Sequence, residues 1–244
     1  RKVSQELECA FLGSGDNVIP METIENIKAT QLKEPEETFI GGQMWVWKKP
    51  IEGHRYILGA DISRGDSEDF TSIIIIDFDE REQVAEYLGK IPPDLAADII
   101  YKWGNMYKAF VVVDITGGMG IATTRKLQEL GYKDLYVEGM NTADKWKYNP
   151  NAANKTPGLA FNNKRAQIIS AFEEGLRHEF VVRSKRLLNE MYTFVYLNGK
   201  PNHMKGKHDD LIMAMAMALY VGENSFSQLQ KADNLTKAML DGWT

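Results

Sequence analysis

Apolar residues along this chain keep two rhythms, and their succession predicts an architecture. Residues 1–40 read as a lead-in: an apolar stretch from Glu8 to Leu12, a turn at Gly13-Ser14-Gly15, and a short helix after Pro20. From Gly41 to Lys49 the pattern alternates and puts Trp45 and Trp47 on one face, the period of a strand, with the tryptophans as packing groups. Three more strand-like runs follow, Arg55–Ile62, Thr71–Phe78 and Gln83–Ile91. Their joins, Ser63–Asp69 and Asp79–Glu82, are short and polar, which predicts antiparallel neighbours. Pro92-Pro93-Asp94 opens a helix whose expected apolar face is Leu95, Ile99, Trp103 and Met106. A buried strand, Phe110–Asp114, ends at a Thr116-Gly117-Gly118 turn; a helix then runs from Ile121 to Leu130, and Leu135–Glu138 is a further short strand. The order β-β-β-α-β-α-β predicts an α/β fold: a mixed central sheet of three antiparallel strands plus parallel strands, flanked by helices.

Residues 139–163 break the rhythm. They are rich in Asn, Lys, Thr, Pro and Gly, and an irregular stretch of that length is usually functional or disordered. Beyond it the pattern predicts a helix over Asn163–Leu176, a strand near Val181, a helix over Leu187–Val195, a second basic loop from Gly199 to Lys207, and a nearly all-apolar helix, Leu211–Val221, buried on most sides. Phe226, Leu229, Leu235, Ala238 and Leu240 form a stripe in an amphipathic tail. The expected organisation is a lead-in at 1–40, a domain at 41–222 and a tail at 223–244.

Composition narrows the class. With 244 residues, 43% hydrophobic and 26% charged, the chain can bury a substantial core. No apolar run reaches the roughly 18 residues of a membrane span. One cysteine, Cys9, rules out an internal disulfide and a Cys-rich zinc site, as suits a reducing cytoplasm. The chain opens on Arg1 rather than Met, as expected of a piece of a longer protein. Net charge is −5, which argues against a nucleic-acid partner until its distribution is read: Gly139–Lys207 holds 12 Lys and Arg against 5 Asp and Glu. A basic face on an acidic body produces such asymmetry, though so does ordinary solvated surface.

Three places carry candidate chemistry. Asp61 follows Tyr56-Ile57-Leu58-Gly59-Ala60 at the end of a central strand, where a carboxylate is costly unless paired or on a metal. Asp114 ends the run Val111-Val112-Val113 and projects at the carboxyl edge of the sheet, where ligands of open sheets bind. Asp209-Asp210 begins the apolar helix. Taken singly, each also fits a turn or a helix cap. Gathered at one sheet edge they would repel one another, and an all-oxygen cluster of that kind selects Mg²⁺ or Mn²⁺. Two such ions can activate a water and stabilise the leaving oxygen of a phosphodiester.

With Asp61 on the first strand, Asp114 on the fourth and Asp210 on the last helix, the order of elements resembles the ribonuclease H-like nucleases. More narrowly, the chain resembles the nuclease domain of tailed-bacteriophage large terminase subunits of the T4-like type. The resemblance is carried by Glu8–Gly15, Ile57–Ser63, Val111–Gly118, Glu190-Met191-Tyr192-Thr193-Phe194 and His208-Asp209-Asp210-Leu211-Ile212-Met213-Ala214, and spans Glu6 to Val221. It implies a metal-dependent endonuclease that cuts concatemeric viral DNA, with Asp61, Asp114 and Asp210 holding two divalent ions, Mg²⁺ or Mn²⁺. Asp209 is the alternative member of its pair, and Asp69 or Asp66 an accessory carboxylate. The partners implied are double-stranded DNA, a portal protein and a small terminase subunit; the site of action is the host cytoplasm and, transiently, the procapsid portal. Cations expected to hold DNA phosphates are Lys145, Lys147, Lys155, Lys164, Arg165, Lys200, Lys205 and Lys207, with His208 beside them. Large terminases also carry an ATPase domain. Here there is no Gly-x-x-x-x-Gly-Lys-Ser/Thr loop, since Gly13-Ser14-Gly15 lacks the lysine, so ATP hydrolysis is expected only of a longer protein.

Three other readings stay open at this point. Asp61, Gly65 and Thr71, with Thr116-Gly117-Gly118-Met119-Gly120, faintly resemble the phosphate and adenosine loops of an actin-like or sugar-kinase ATPase. The same fold also serves junction-resolvase and transposase-like enzymes. A non-catalytic packaging module would keep the acidic cluster as a remnant.

Overall fold

Residues 17–66, 68–138, 156–161 and 164–223 are described by a computed structural model of the chain. The expectations for Glu8–Gly15, Cys9, Lys145, Lys147, Lys155 and the tail stripe lie outside them. Six strands form the central sheet: β1 Glu37–Phe39, β2 Met44–Val46, β3 Tyr56–Asp61, β4 Thr71–Asp77, β5 Glu82–Gly89 and β6 Phe110–Val113. Their order is β1-β2-β5-β4-β3-β6. All pairings are antiparallel except β3 with β6, so this is the mixed sheet that the pattern predicts and the arrangement that the ribonuclease H-like resemblance implies, with β1 and β2 extending its antiparallel side. The short strand expected at Leu135–Glu138 is reduced to isolated parallel bridges, Val111 with Leu135 and Val137 with Gly158.

Strand β4, Thr-Ser-Ile-Ile-Ile-Ile-Asp, is buried along its whole length. An uninterrupted apolar strand needs cover on both faces, and here it has it. Ile73 and Ile75 join the core beneath helices α2 (Pro93–Tyr107) and α3 (Met119–Glu129). Ile74 and Ile76 join the opposite core, built from α1 (Met21–Thr30), α4 (Arg165–Arg177), α5 (Lys185–Tyr192) and a last helix, α6, over 210–223. Part of the lead-in packs into this body: Val18, Ile19, Ile24 and Ile27 belong to the second core, and β1 is an edge strand.

Two expectations are corrected. Helix α2 turns a different face inward, burying Ala96, Ala97, Ile100, Trp103, Gly104 and Tyr107, while Leu95 and Met106 are 48% and 47% exposed. Small residues let α2 lie close to its neighbours; a Cβ on Gly104 would stand 2.7 Å from the Tyr132 hydroxyl. The second basic loop is in large part a hairpin, β7 (Phe194–Leu197) with β8 (Lys200–His203). Asn198 and Gly199 both take left-handed backbone, φ 53° and 73°, the requirement of a two-residue turn between twisted strands. That dipeptide is a hairpin signal in the sequence itself.

Helix α6 is held against the sheet at Gly59. This glycine has ordinary strand backbone, yet a Cβ there would meet the Ala214 carbonyl oxygen at 2.1 Å. It is required for space, and that close approach brings the start of α6 to the end of β3.

Candidate active site

Strands β3 and β6 are parallel neighbours with Ala60 opposite Val113. The next residues, Asp61 and Asp114, therefore stand beside each other at the carboxyl edge, where the Asp114 N–H donates to the Ala60 carbonyl at 2.9 Å. The chain turns sharply after Asp114: its Oδ1 accepts from the Thr116 N–H at 2.7 Å, and Gly120 passes so near that a Cβ would lie 1.8 Å from the Asp114 carbonyl oxygen. Asp210 arrives from the other direction on α6. The Ser72 hydroxyl donates to the Asp210 carbonyl at 2.7 Å, and the Phe70 N–H donates to Oδ2 at 3.3 Å. Asp61, Asp69, Phe70, His203, His208 and the Asp209-Asp210 pair line a cleft of about 230 Å³.

The electrostatics follow from burial and like charge. Asp61 is held well above the usual carboxylate range, first by burial, then by Asp114, Asp210 and Asp209, with Arg165 acting in opposition. Burial raises Asp114 too, tempered by its Thr116 hydrogen bond and by Arg165. Asp210 is pushed up to about 6 by burial, with Asp209 and Asp69 adding to it and the Phe70 N–H and His208 opposing. Among the described residues no group donates a hydrogen bond to the Asp61 carboxylate. An under-bonded carboxylate surrounded by others is the donor set of a hard divalent cation, so Asp61, Asp114 and Asp210 fit such an ion chemically. They are not closed around one: among the described residues no three Asp, Glu, His or Cys side chains stand together as a ready cage. Asp209 is drawn instead to Arg165, at 2.6 Å, and Asp210 to His208, at 3.4 Å.

The other predicted residues divide. Asp69 is exposed at the cleft, whereas Asp66 faces Arg64 in an exposed ion pair at 2.8 Å. His208 stacks edge-on against Phe70, ring centroids 5.1 Å apart. Lys164 is paired with Glu138, which leaves it less available to a phosphate than its position suggests. Lys200 and Lys205 are exposed, and Lys207 is half-buried.

Two residues of the site were not read from the sequence. His203, on β8, reaches the cleft because the hairpin folds back, placing its Nδ1 2.9 Å from Asp209 Oδ1. Glu190 is buried on the apolar side of α5, among Leu187, Leu188 and Met191. Its Oε2 accepts from the Ile212 N–H at 3.0 Å, one of the open donors in the first turn of α6. An acid among the apolar positions of an amphipathic helix was the available signal.

Solved structures share the fold of this chain. The large terminase nuclease from thermophilic phage G20c aligns with a TM-score of 0.61 at 18% identity, covering 83% of this chain and 97% of that one. The same nuclease with bound magnesium gives 0.62 at 18%, over 84% and 97%. The Thermus phage P74-26 large terminase nuclease domain gives 0.59 at 18%, over 82% and 95%. This chain has the large terminase nuclease fold. No family model matches it, and no curated protein is similar to it in sequence. At such identity the terminase nuclease fold is held by pattern and packing. Of the described helices, none is long and apolar enough to cross a membrane.

Proposed function

We propose that this chain is the metal-dependent endonuclease domain of a phage DNA-packaging terminase, hydrolysing phosphodiester bonds of concatemeric double-stranded viral DNA. One observation carries the reading: Asp61 and Asp114 lie side by side at the carboxyl edge of β3 and β6, with Asp210 brought to them by α6. The magnesium-bound G20c nuclease of the same fold supports it. Asp61, Asp114 and Asp210 would hold two Mg²⁺ or Mn²⁺ ions, which when bound supply charge stabilisation and an activated water. The chain's own residues do the rest. Burial keeps water from screening the carboxylates, and the Phe70 N–H and Ser72 hydroxyl fix where Asp210 stands. The cations Lys200, Lys205 and Lys207, with those of 139–163, engage phosphates, so cutting is independent of base sequence. An ATPase domain elsewhere in a longer protein, a portal ring and a small subunit complete the machine proposed.

Supercoiled plasmid incubated with the protein in Mg²⁺, Mn²⁺ or EDTA tests this. Nicked and linear products are expected with either metal and none with EDTA. Asp61→Asn and Asp114→Asn should each abolish cutting while remaining folded. Wild-type cutting by either folded variant removes the assignment, and preference for branched DNA would move the chain to the resolvases.

A further inference from the structure

The two members of the Asp209-Asp210 pair are engaged in different ways. The Asp209 side chain is 13% exposed, and both of its oxygens are taken: Arg165 Nη2 donates to Oδ2 at 2.6 Å, and His203 Nδ1 lies 2.9 Å from Oδ1. Those two partners come from separate elements, α4 and β8, and are more open, at 35% and 38% exposure. Asp210 meets only long contacts on Oδ2, from the Phe70 N–H at 3.3 Å and His208 at 3.4 Å, and among the described residues its Oδ1 receives no hydrogen bond. Arg165 also acts on Asp61 and Asp114, so its guanidinium lies within electrostatic reach of both carboxylates at the ends of β3 and β6. Asp209 occupies one of its five N–H donors, and a guanidinium fork suits phosphate.

We infer that Asp209 is a positioning residue rather than a metal ligand: it aims Arg165 at the DNA phosphate entering the cleft, while Asp210 is the metal-facing member of the pair. His203 occupies the second oxygen of Asp209, so that neither oxygen of that carboxylate would be left open to a metal. The phosphate's identity as DNA rests on the nuclease reading above, but the orientation of Arg165 does not.

The test separates charge from position. Affinity for a short DNA duplex is measured by fluorescence anisotropy in EDTA, and Mn²⁺ uptake by calorimetry without DNA. Removing a negative charge near a DNA site by itself strengthens binding; loss of an aimed arginine weakens it. Asp209→Ala is therefore expected to weaken duplex binding by about tenfold and to leave Mn²⁺ affinity within about twofold of wild type. Asp210→Ala should lose Mn²⁺ uptake. Arg165→Lys keeps the charge, loses the fork and should weaken duplex binding comparably, with the Asp209→Ala/Arg165→Lys double variant little worse than either alone. Thermal unfolding checks that each variant is folded, and Arg165→Lys serves if Asp209→Ala is not. Tighter duplex binding by Asp209→Ala, or loss of its Mn²⁺ uptake to the extent seen with Asp210→Ala, overturns the inference. Failure of the nuclease reading would show separately, as wild-type protein that binds duplex but takes up no Mn²⁺; weaker duplex binding by Asp209→Ala would still support the aiming of Arg165.

Discussion

Alanine in place of Gly59 tests the joint on which the site depends. The added Cβ would stand 2.1 Å from the Ala214 carbonyl oxygen, 3.1 Å from its carbon and 3.2 Å from the Ala218 Cβ. The first of these is short of an ordinary contact by roughly 1.5 Å. The obstacle is backbone, so no side-chain rotation relieves it, and α6 must retreat or β3 must bend. Overpacking of this kind costs about 1–3 kcal/mol, here at the upper end, offset by the roughly 0.5–1 kcal/mol that alanine gains over glycine inside a strand. A net loss of about 2 kcal/mol lowers the midpoint of thermal unfolding by about 4–8 °C in a domain of this size. Activity should fall further than stability. Asp210 begins the helix being displaced, and a misplacement of about 1 Å at a catalytic group can cost about 100-fold. The assay pairs thermal unfolding with plasmid cutting in Mn²⁺ at 25 °C, where the variant remains folded. Wild-type melting and wild-type cutting together would refute the claim that the β3–α6 contact sets the site.

Three further outcomes are expected. Burial pushes Glu86 up to about 7 against the pull of Ser184, Arg186 and Gln83, so the folded state holds this proton more tightly than the unfolded chain. Its contribution is full below about pH 4.5 and is lost as pH rises through about 7, on the order of 3 kcal/mol, and Glu86→Gln should flatten that part of the pH dependence in urea unfolding. Lys200→Ala with Lys205→Ala should weaken binding to all duplex sequences alike and reduce the salt slope by up to about 2, as anisotropy titrations at several salt concentrations will show. Ser184 caps α5 by accepting from the Arg186 and Leu187 N–H groups, both at 3.1 Å, and Ser184→Ala should cost about 1–2 kcal/mol in chemical unfolding.

Much of this molecule was legible one residue at a time. The strands around Ile57, Ile74 and Val112 announce themselves as apolar runs closed by polar turns. Asp61 and Asp114 stand out because each ends such a run, where a carboxylate needs a reason. The phase of α2 was not legible, because bulk suggests Leu95 and Met106 while Ala96, Ala97 and Gly104 are what permit close packing. Glu190 was only half legible: its place among the apolar positions of α5 marks it as unusual, but its partner, the Ile212 N–H, belongs to another helix and is not given by α5 itself.

Local pattern determined the elements, their order and the sheet edge at which the carboxylates emerge, because strand period, turn chemistry and helix starts are properties of neighbouring residues. Only the tertiary structure decided how those carboxylates differ. Asp209 and Asp210 are adjacent and chemically identical in the chain. They part company because Arg165, 44 residues away, and His203, carried in by a hairpin, both converge on Asp209, while Phe70 and Ser72 hold Asp210 toward Asp61. A role set by partners that distant exists only once two cores have packed α4, α6 and the hairpin against one end of the sheet.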